Sequence, residues 1–210
     1  MKKIKLTLIL AATLLGGAAA HAQDWTAAFG YAASSFHGAD CSSFLSKHPL
    51  HGFYAGASRN FYFSALAGLT FEPGAYFYYQ SGQNAAATSG VLEGAAPKFI
   101  NMHYLSVPVR IKYTFDLVPG SVTASVLTGP VFNAGLLGNL YQSGKFHTNK
   151  GLDDPGHRLT RMNAQWDLGL AATVANAIQI RIGYAFGLSR LIPEQNIQYN
   201  TFTIGAGLLF

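Results

Sequence analysis

Four groups of residues carry side chains suited to chemistry. His103 and Ser106 offer a base and a nucleophile three positions apart. On a strand an odd separation puts two residues on opposite faces. No carboxylate companion completes the logic of a triad. In a second group, His37, Cys41, His48 and His51 imitate a metal site. Structural zinc sites pair their ligands at tighter, repeated spacings, so these read as solvated loop residues. Further on, Lys145, His147, Lys150, Asp153, Asp154, His157, Arg158 and Arg161 mix both charge signs. A solvated loop facing lipopolysaccharide or a partner explains them, with a metal site at Asp153, Asp154 and His157 as the alternative. The expectation is no catalytic residue, no metal and no cofactor. A fourth group, Glu72, Arg110, Lys112, Asp167 and Arg181, is scattered along the chain. What it can do depends on the elements that carry it.

The chain has 210 residues, half of them hydrophobic, 13% aromatic and only 11% charged. Soluble domains carry about 25% charged residues. Low net charge with many aromatics excludes disorder, and a single cysteine, Cys41, excludes a disulfide scaffold. Beyond the N-terminal segment no run approaches the ~18 apolar residues of a membrane helix. That segment reads as a secretory signal. Lys2, Lys3 and Lys5 precede an apolar core, and Ala20-His21-Ala22 is a small-x-small cleavage site. The expected division is a signal peptide at 1–22 and one domain at 23–210. Taking the three signal lysines from fourteen basic residues leaves eleven against nine acidic ones. The basicity is then largely an export signal and gives no support to nucleic-acid binding.

Period-2 alternation runs through the rest of the chain, the pattern of half-buried strands. It predicts eight strands, at 25–36, 52–63, 68–81, 99–115, 121–134, 163–174, 178–190 and 199–210. Long connections, at 37–51, 82–98, 135–162 and 191–198, alternate with short ones. Transmembrane barrels combine short periplasmic turns with longer external loops. Eight strands would place both ends of the chain on the periplasmic side. In the fourth strand Leu105, Val107, Val109, Ile111, Tyr113 and Phe115 oppose Ser106, Pro108, Arg110, Lys112 and Thr114. The second strand is ambiguous, because Phe53 and Tyr54 fall on opposite faces and Arg59 stands near the turn. The polar faces are mostly Gly, Ala, Ser and Thr. A soluble surface would want roughly 25–35% charged residues, so the apolar faces are assigned to lipid.

The expectation is an all-β, antiparallel, up-and-down transmembrane β-barrel of eight strands in a Gram-negative outer membrane. Such a barrel has an interior just wide enough for side chains to fill, which argues against bulk solute passage. Glu72, Arg110, Lys112, Asp167 and Arg181 all take the inward parity, where two carboxylates and three cations are expected to pair as a structural network. A polar gate or narrow ion path is the alternative. Phe202, Ile204, Leu208 and Phe210 alternate to the last residue and resemble the terminal-strand signal read by the barrel assembly machinery.

The fourth strand, Tyr104-Leu105-Ser106-Val107-Pro108-Val109-Arg110-Ile111-Lys112-Tyr113, resembles the signature strand of the PorT-like outer-membrane barrels, small eight-stranded barrels also labelled a porin family. Phe71-Glu72-Pro73-Gly74, Thr128-Gly129-Pro130, Asp167-Leu168-Gly169 and Arg181-Ile182-Gly183-Tyr184 follow the family's order. The resemblance implies an outer-membrane barrel without a shared catalytic motif. Its founding member is linked to secretion, a role nothing in these residues assigns here. The functional expectation is a non-enzymatic membrane scaffold. Its expected partners are outer-membrane lipid, the assembly machinery during insertion, and a protein at the external loops or periplasmic turns, with no nucleic acid. A lipid-acting enzyme would need a polar catalytic group on the lipid-facing parity near the outer rim, and none stands out. A narrow channel and a soluble ligand-binding barrel are the further alternatives.

Overall fold

The computed structural model describes residues 24–38, 49–83, 99–142, 145–148, 161–190, 196 and 198–210. The expected signal peptide, Cys41, His48 and the Lys150 to Arg158 part of the third loop lie outside them. The described strands are β1 (Trp25–His37), β2 (Leu50–Arg59), β3 (Phe61–Tyr62), β4 (Leu69–Gln83), β5 (Phe99–Val118), β6 (Val122–Gln142), β7 (Lys145–Thr148), β8 (Met162–Val174), β9 (Ile178–Gly187) and β10 (Gln198–Leu209). Every pairing is antiparallel. The eight long strands follow one another around the sheet, and pairing of β2 with β4 and of β1 with β10 closes it into a barrel. Closure leaves no edge of unpaired backbone groups.

Each strand keeps the two-residue period, so one register fixes which side chains face inward. On β5 the buried residues are Tyr104, Ser106, Pro108, Arg110 and Lys112, while Leu105, Val107, Ile111 and Tyr113 are exposed. The pairing of β4 with β5 lapses opposite Pro108, which has no N–H to donate, and keeps one register on either side. β2 resolves its ambiguity by putting Tyr54 inside and Phe53 outside. Its pairing with β4 breaks near Asn60 and resumes as β3, which pairs Phe61 with Phe71.

Two sequence expectations need correction. The fifth strand does not stop at residue 134 but runs to Gln142, and β7 folds back on it with Gln142 opposite Lys145. A register shift lies between His103 and Tyr104, opposite 135–137 of β6. An extra residue there interrupts the alternation without ending the strand. The second strand, expected unbroken over 52–63, is split at Asn60.

Candidate functional site in the barrel lumen

The interior is built from unequal strands. β4 and β5 supply the large residues, among them Glu72, Tyr76, Tyr78, Tyr104, Arg110 and Lys112. Apart from Phe36 and Tyr199 near the long-connection end, β1 and β10 facing them supply Ala, Gly, Ser and Thr. Gly30 and Gly205 are register partners, and a Cβ on Gly205 would stand 2.3 Å from the Tyr54 hydroxyl and 2.4 Å from the Phe29 carbonyl oxygen. The pair makes the room that the Tyr54 ring occupies.

All five inward charged residues meet in one layer. Glu72 is fully buried and receives three cations. Arg181 grips it with Nη1 2.8 Å from Oε1 and Nη2 3.0 Å from Oε2. Lys112 Nζ lies 3.0 Å from Oε2, and Arg110 Nη1 lies 3.6 Å from Oε1. Arg110 Nε donates to Asp167 Oδ2 at 2.5 Å. Two neutral amides extend the network: Lys112 donates to Asn60 Oδ1, and Arg181 Nη2 donates to Gln179 Oε1 at 2.9 Å. The bidentate Arg181 fork suits a carboxylate better than a point charge does.

A tyrosine layer covers the charges. Tyr78 stacks on Tyr104 at 4.9 Å and on Tyr54 at 5.3 Å, and Tyr54 meets Tyr76 edge-on at 5.9 Å. Arg110 lies over the Tyr76 ring at 5.9 Å. A neutral polar layer follows. Asn133 donates to Gln165 at 2.9 Å and to the Tyr199 hydroxyl at 3.1 Å. Gln165 donates to the Tyr199 carbonyl and to Thr201, which is bonded to Ser34 at 2.8 Å. Sequence reasoning missed both upper layers. Their signal was parity alone, since Tyr76 and Tyr78 share the face of Glu72, and Tyr104 that of Arg110.

Two small cavities remain between these side chains. One, of about 20 Å³, touches Tyr104, Arg110, Asn133, Gln165 and Asp167. The other, of about 10 Å³, touches Tyr54, Tyr76, Arg110 and Arg181. Tyr78, Arg110 and Thr203 border both. Each has room for the centre of a water-sized particle or two, the scale of ordered water rather than of a solute.

The outer surface has the opposite chemistry. Leu168, Leu170, Ile180, Ile182 and Ile204 are exposed around the wall, and no Asp, Glu, Lys or Arg among the described residues faces outward between its two aromatic rims. Trp25, Phe61, Tyr113 and Phe115 ring the end with the short turns, and Tyr31, Phe53, Phe132, Trp166 and Tyr184 ring the other. Eleven residues of tilted β5, from Leu105 to Phe115, span about 25 Å, the height of a lipid-facing band. At the short-turn end Arg59 stands over the Phe61 ring at 4.9 Å and 3.9 Å from Asp24, anchoring that rim. Phe202, Ile204, Leu208 and Phe210 take the outward parity of the last strand, and Trp25 and Phe210 exchange two backbone hydrogen bonds of 3.0 Å.

His103 faces outward while Ser106 is buried in the lumen. His51 is also outward, and its Nδ1 is bonded to the Tyr31 hydroxyl. It stands opposite Ser81, which stands opposite Asn101, all on the outer face towards the long-connection rim. The sequence reading did not single out this polar group, which sits where lipid meets water. Among the described residues no three His, Cys, Asp or Glu side chains gather as a metal site.

An apolar band outside a closed barrel with a polar interior defines a transmembrane β-barrel of the outer-membrane type. No protein-family model and no curated protein sequence matches the chain. Several solved structures resemble it. Neisserial surface protein A is 11% identical with a TM-score of 0.49, covering 89% of this chain and 97% of that one. Ail, the attachment invasion locus protein of Yersinia pestis, is 14% identical with a TM-score of 0.44, covering 90% and 99%. The outer membrane enzyme PagL is 14% identical with a TM-score of 0.47, covering 87% and 97%. These likenesses are loose, and the assignment rests on the barrel's own two surfaces.

Proposed function

We propose that this chain is a sealed, non-enzymatic outer-membrane scaffold of the PorT-like kind, which offers its longer connections to a partner. One observation carries the reading: the lumen is filled across its width by the five-residue charge network, the tyrosine stack and the amide layer. Building a barrel only to fill it leaves its rims as the working surface. The Tyr104 to Tyr113 motif supports the PorT-like resemblance. Short turns at one end and longer connections at the other favour an orientation with the longer ones outside. The outward series Phe202, Ile204, Leu208 and Phe210 fits an assembly signal read during insertion.

The test is cross-linking in intact cells, followed by purification of the folded barrel. A discrete partner joined through residues of 135–162 is expected, and its loss when that connection is shortened. A barrel that stays free in both forms overturns the reading. The enzymatic alternative would use outward His51 or His103. Incubating purified barrel with lipopolysaccharide and phospholipid vesicles is expected to release no fatty acid. Release abolished by His51→Ala would replace the scaffold with a lipid hydrolase.

A further inference from the structure

Among the described residues the lumen holds more positive charge than it neutralises. Arg110, Lys112 and Arg181 face only Glu72 and Asp167, an excess of one cation. Asp116 is exposed near the short-turn rim, and Asp24 is engaged by Arg59, so neither makes up the difference. A buried charge without a counter-charge is strongly unfavourable.

The smaller cavity is where that excess can be met. Arg110 and Arg181 both border it, and no carboxylate does. Three donors of its lining residues make no hydrogen bond: Arg110 Nη1, which faces Glu72 Oε1 at 3.6 Å, Arg181 Nε and the Tyr76 hydroxyl. All three residues are buried or nearly so. The larger cavity differs, because Asp167 borders it and balances Arg110 there. Two guanidinium groups exclude a cation. The unfilled donors disfavour an apolar guest, and a space of this size favours a single-atom ion over a tetrahedral oxyanion.

We propose that this cavity binds one monovalent inorganic anion of chloride size, held by Arg110, Arg181 and the Tyr76 hydroxyl. The anion neutralises the charge layer and fastens β4, β5 and β9 to one another from within. The site is independent of what the rims bind.

The test uses the folded, full barrel in detergent. Thermal unfolding is followed at constant ionic strength while chloride replaces gluconate, an anion too large for the cavity. Chloride is expected to raise the unfolding temperature saturably. In crystals grown with bromide, an anomalous peak is expected between Arg110 and Arg181. Tyr76→Phe keeps the ring that meets Tyr54 and removes one donor. It is expected to fold and to raise the half-saturating chloride concentration about fivefold, the effect of one hydrogen bond. Equal stability in the two salts, a cavity without bromide, or an unshifted chloride dependence in Tyr76→Phe each overturns the proposal. Equal stability would mean that water alone fills the space.

Discussion

At the scale of single residues, Glu72 is the centre of the lumen. Its two oxygens are approached by Arg181, Lys112 and Arg110, and no solvent reaches it. Glu72→Gln keeps the shape and removes the charge, leaving three cations with Asp167 alone. Removing one partner from a buried ion group costs about 3–5 kcal/mol. We expect a loss of that order in urea unfolding of the vesicle-inserted barrel, and a lower temperature for loss of the compact gel form. Arg110→Met should cost a similar amount, because it strands buried Asp167, which Arg110 holds at 2.5 Å, even as it relieves the excess of positive charge. If both variants kept the wild-type heat resistance, the network would not be structural. The inward placement of all five charges was legible from alternation, because a charge on the lipid face of a strand is costly. Their partners were not. Asn60 takes the inward parity of Tyr54 and Ser58, but no spacing in the sequence says that it reaches Lys112 two strands away.

At the scale of the strands, period 2 gave away nearly every element because each wall residue has a different solvent on either side. The rule failed at 135–138, where Gly-Leu-Leu-Gly offers two adjacent apolar side chains. The structure absorbs them with a register shift against His103 and Tyr104, and β6 continues to Gln142. The fit of large against small across the lumen was also hidden, since it pairs strands distant in sequence. Gly205 shows what it demands. A Cβ there meets the backbone of β1 and the Tyr54 hydroxyl at once. Gly205→Val should therefore lower the unfolding free energy by about 1–3 kcal/mol, the usual range for overpacking, and Tyr54→Phe should recover only part of it, because the Phe29 carbonyl oxygen remains in the way. The lipid side is tested by Ile180→Arg. Its side chain lies in the apolar band, and a basic residue at mid-depth costs about 2–4 kcal/mol. The same change at Leu66, in the exposed short-turn region, should cost far less. Equal costs at the two positions would remove the lipid from that face.

At the scale of the whole molecule the question is whether anything crosses. Eight strands enclose a space that side chains can fill, and here three successive layers fill it. A path along the axis would have to pass Arg110, held by Asp167 at 2.5 Å, and Tyr78, stacked between Tyr54 and Tyr104. The cavities on either side of this pair are of water size and end against it. Ions would need to break a charge-assisted bond and displace a stacked ring, and nothing else in the wall yields. The purified barrel in a planar bilayer is therefore expected to show no discrete conductance steps. Tyr78→Ala with Tyr104→Ala removes both stacked rings while leaving the charge layer whole, and should join the larger cavity to the space the rings vacate. That variant is expected to stay silent as well, because Arg110, Arg181 and Glu72 still close the section below. Adding Arg110→Ala leaves the Arg181–Glu72 pair and the Asn133–Gln165 layer across the section, so this triple variant is also expected to stay silent while it retains the heat-modifiable form on a gel. Steps from the wild-type barrel would place a conducting path where the side chains meet, and the scaffold reading would give way to a channel.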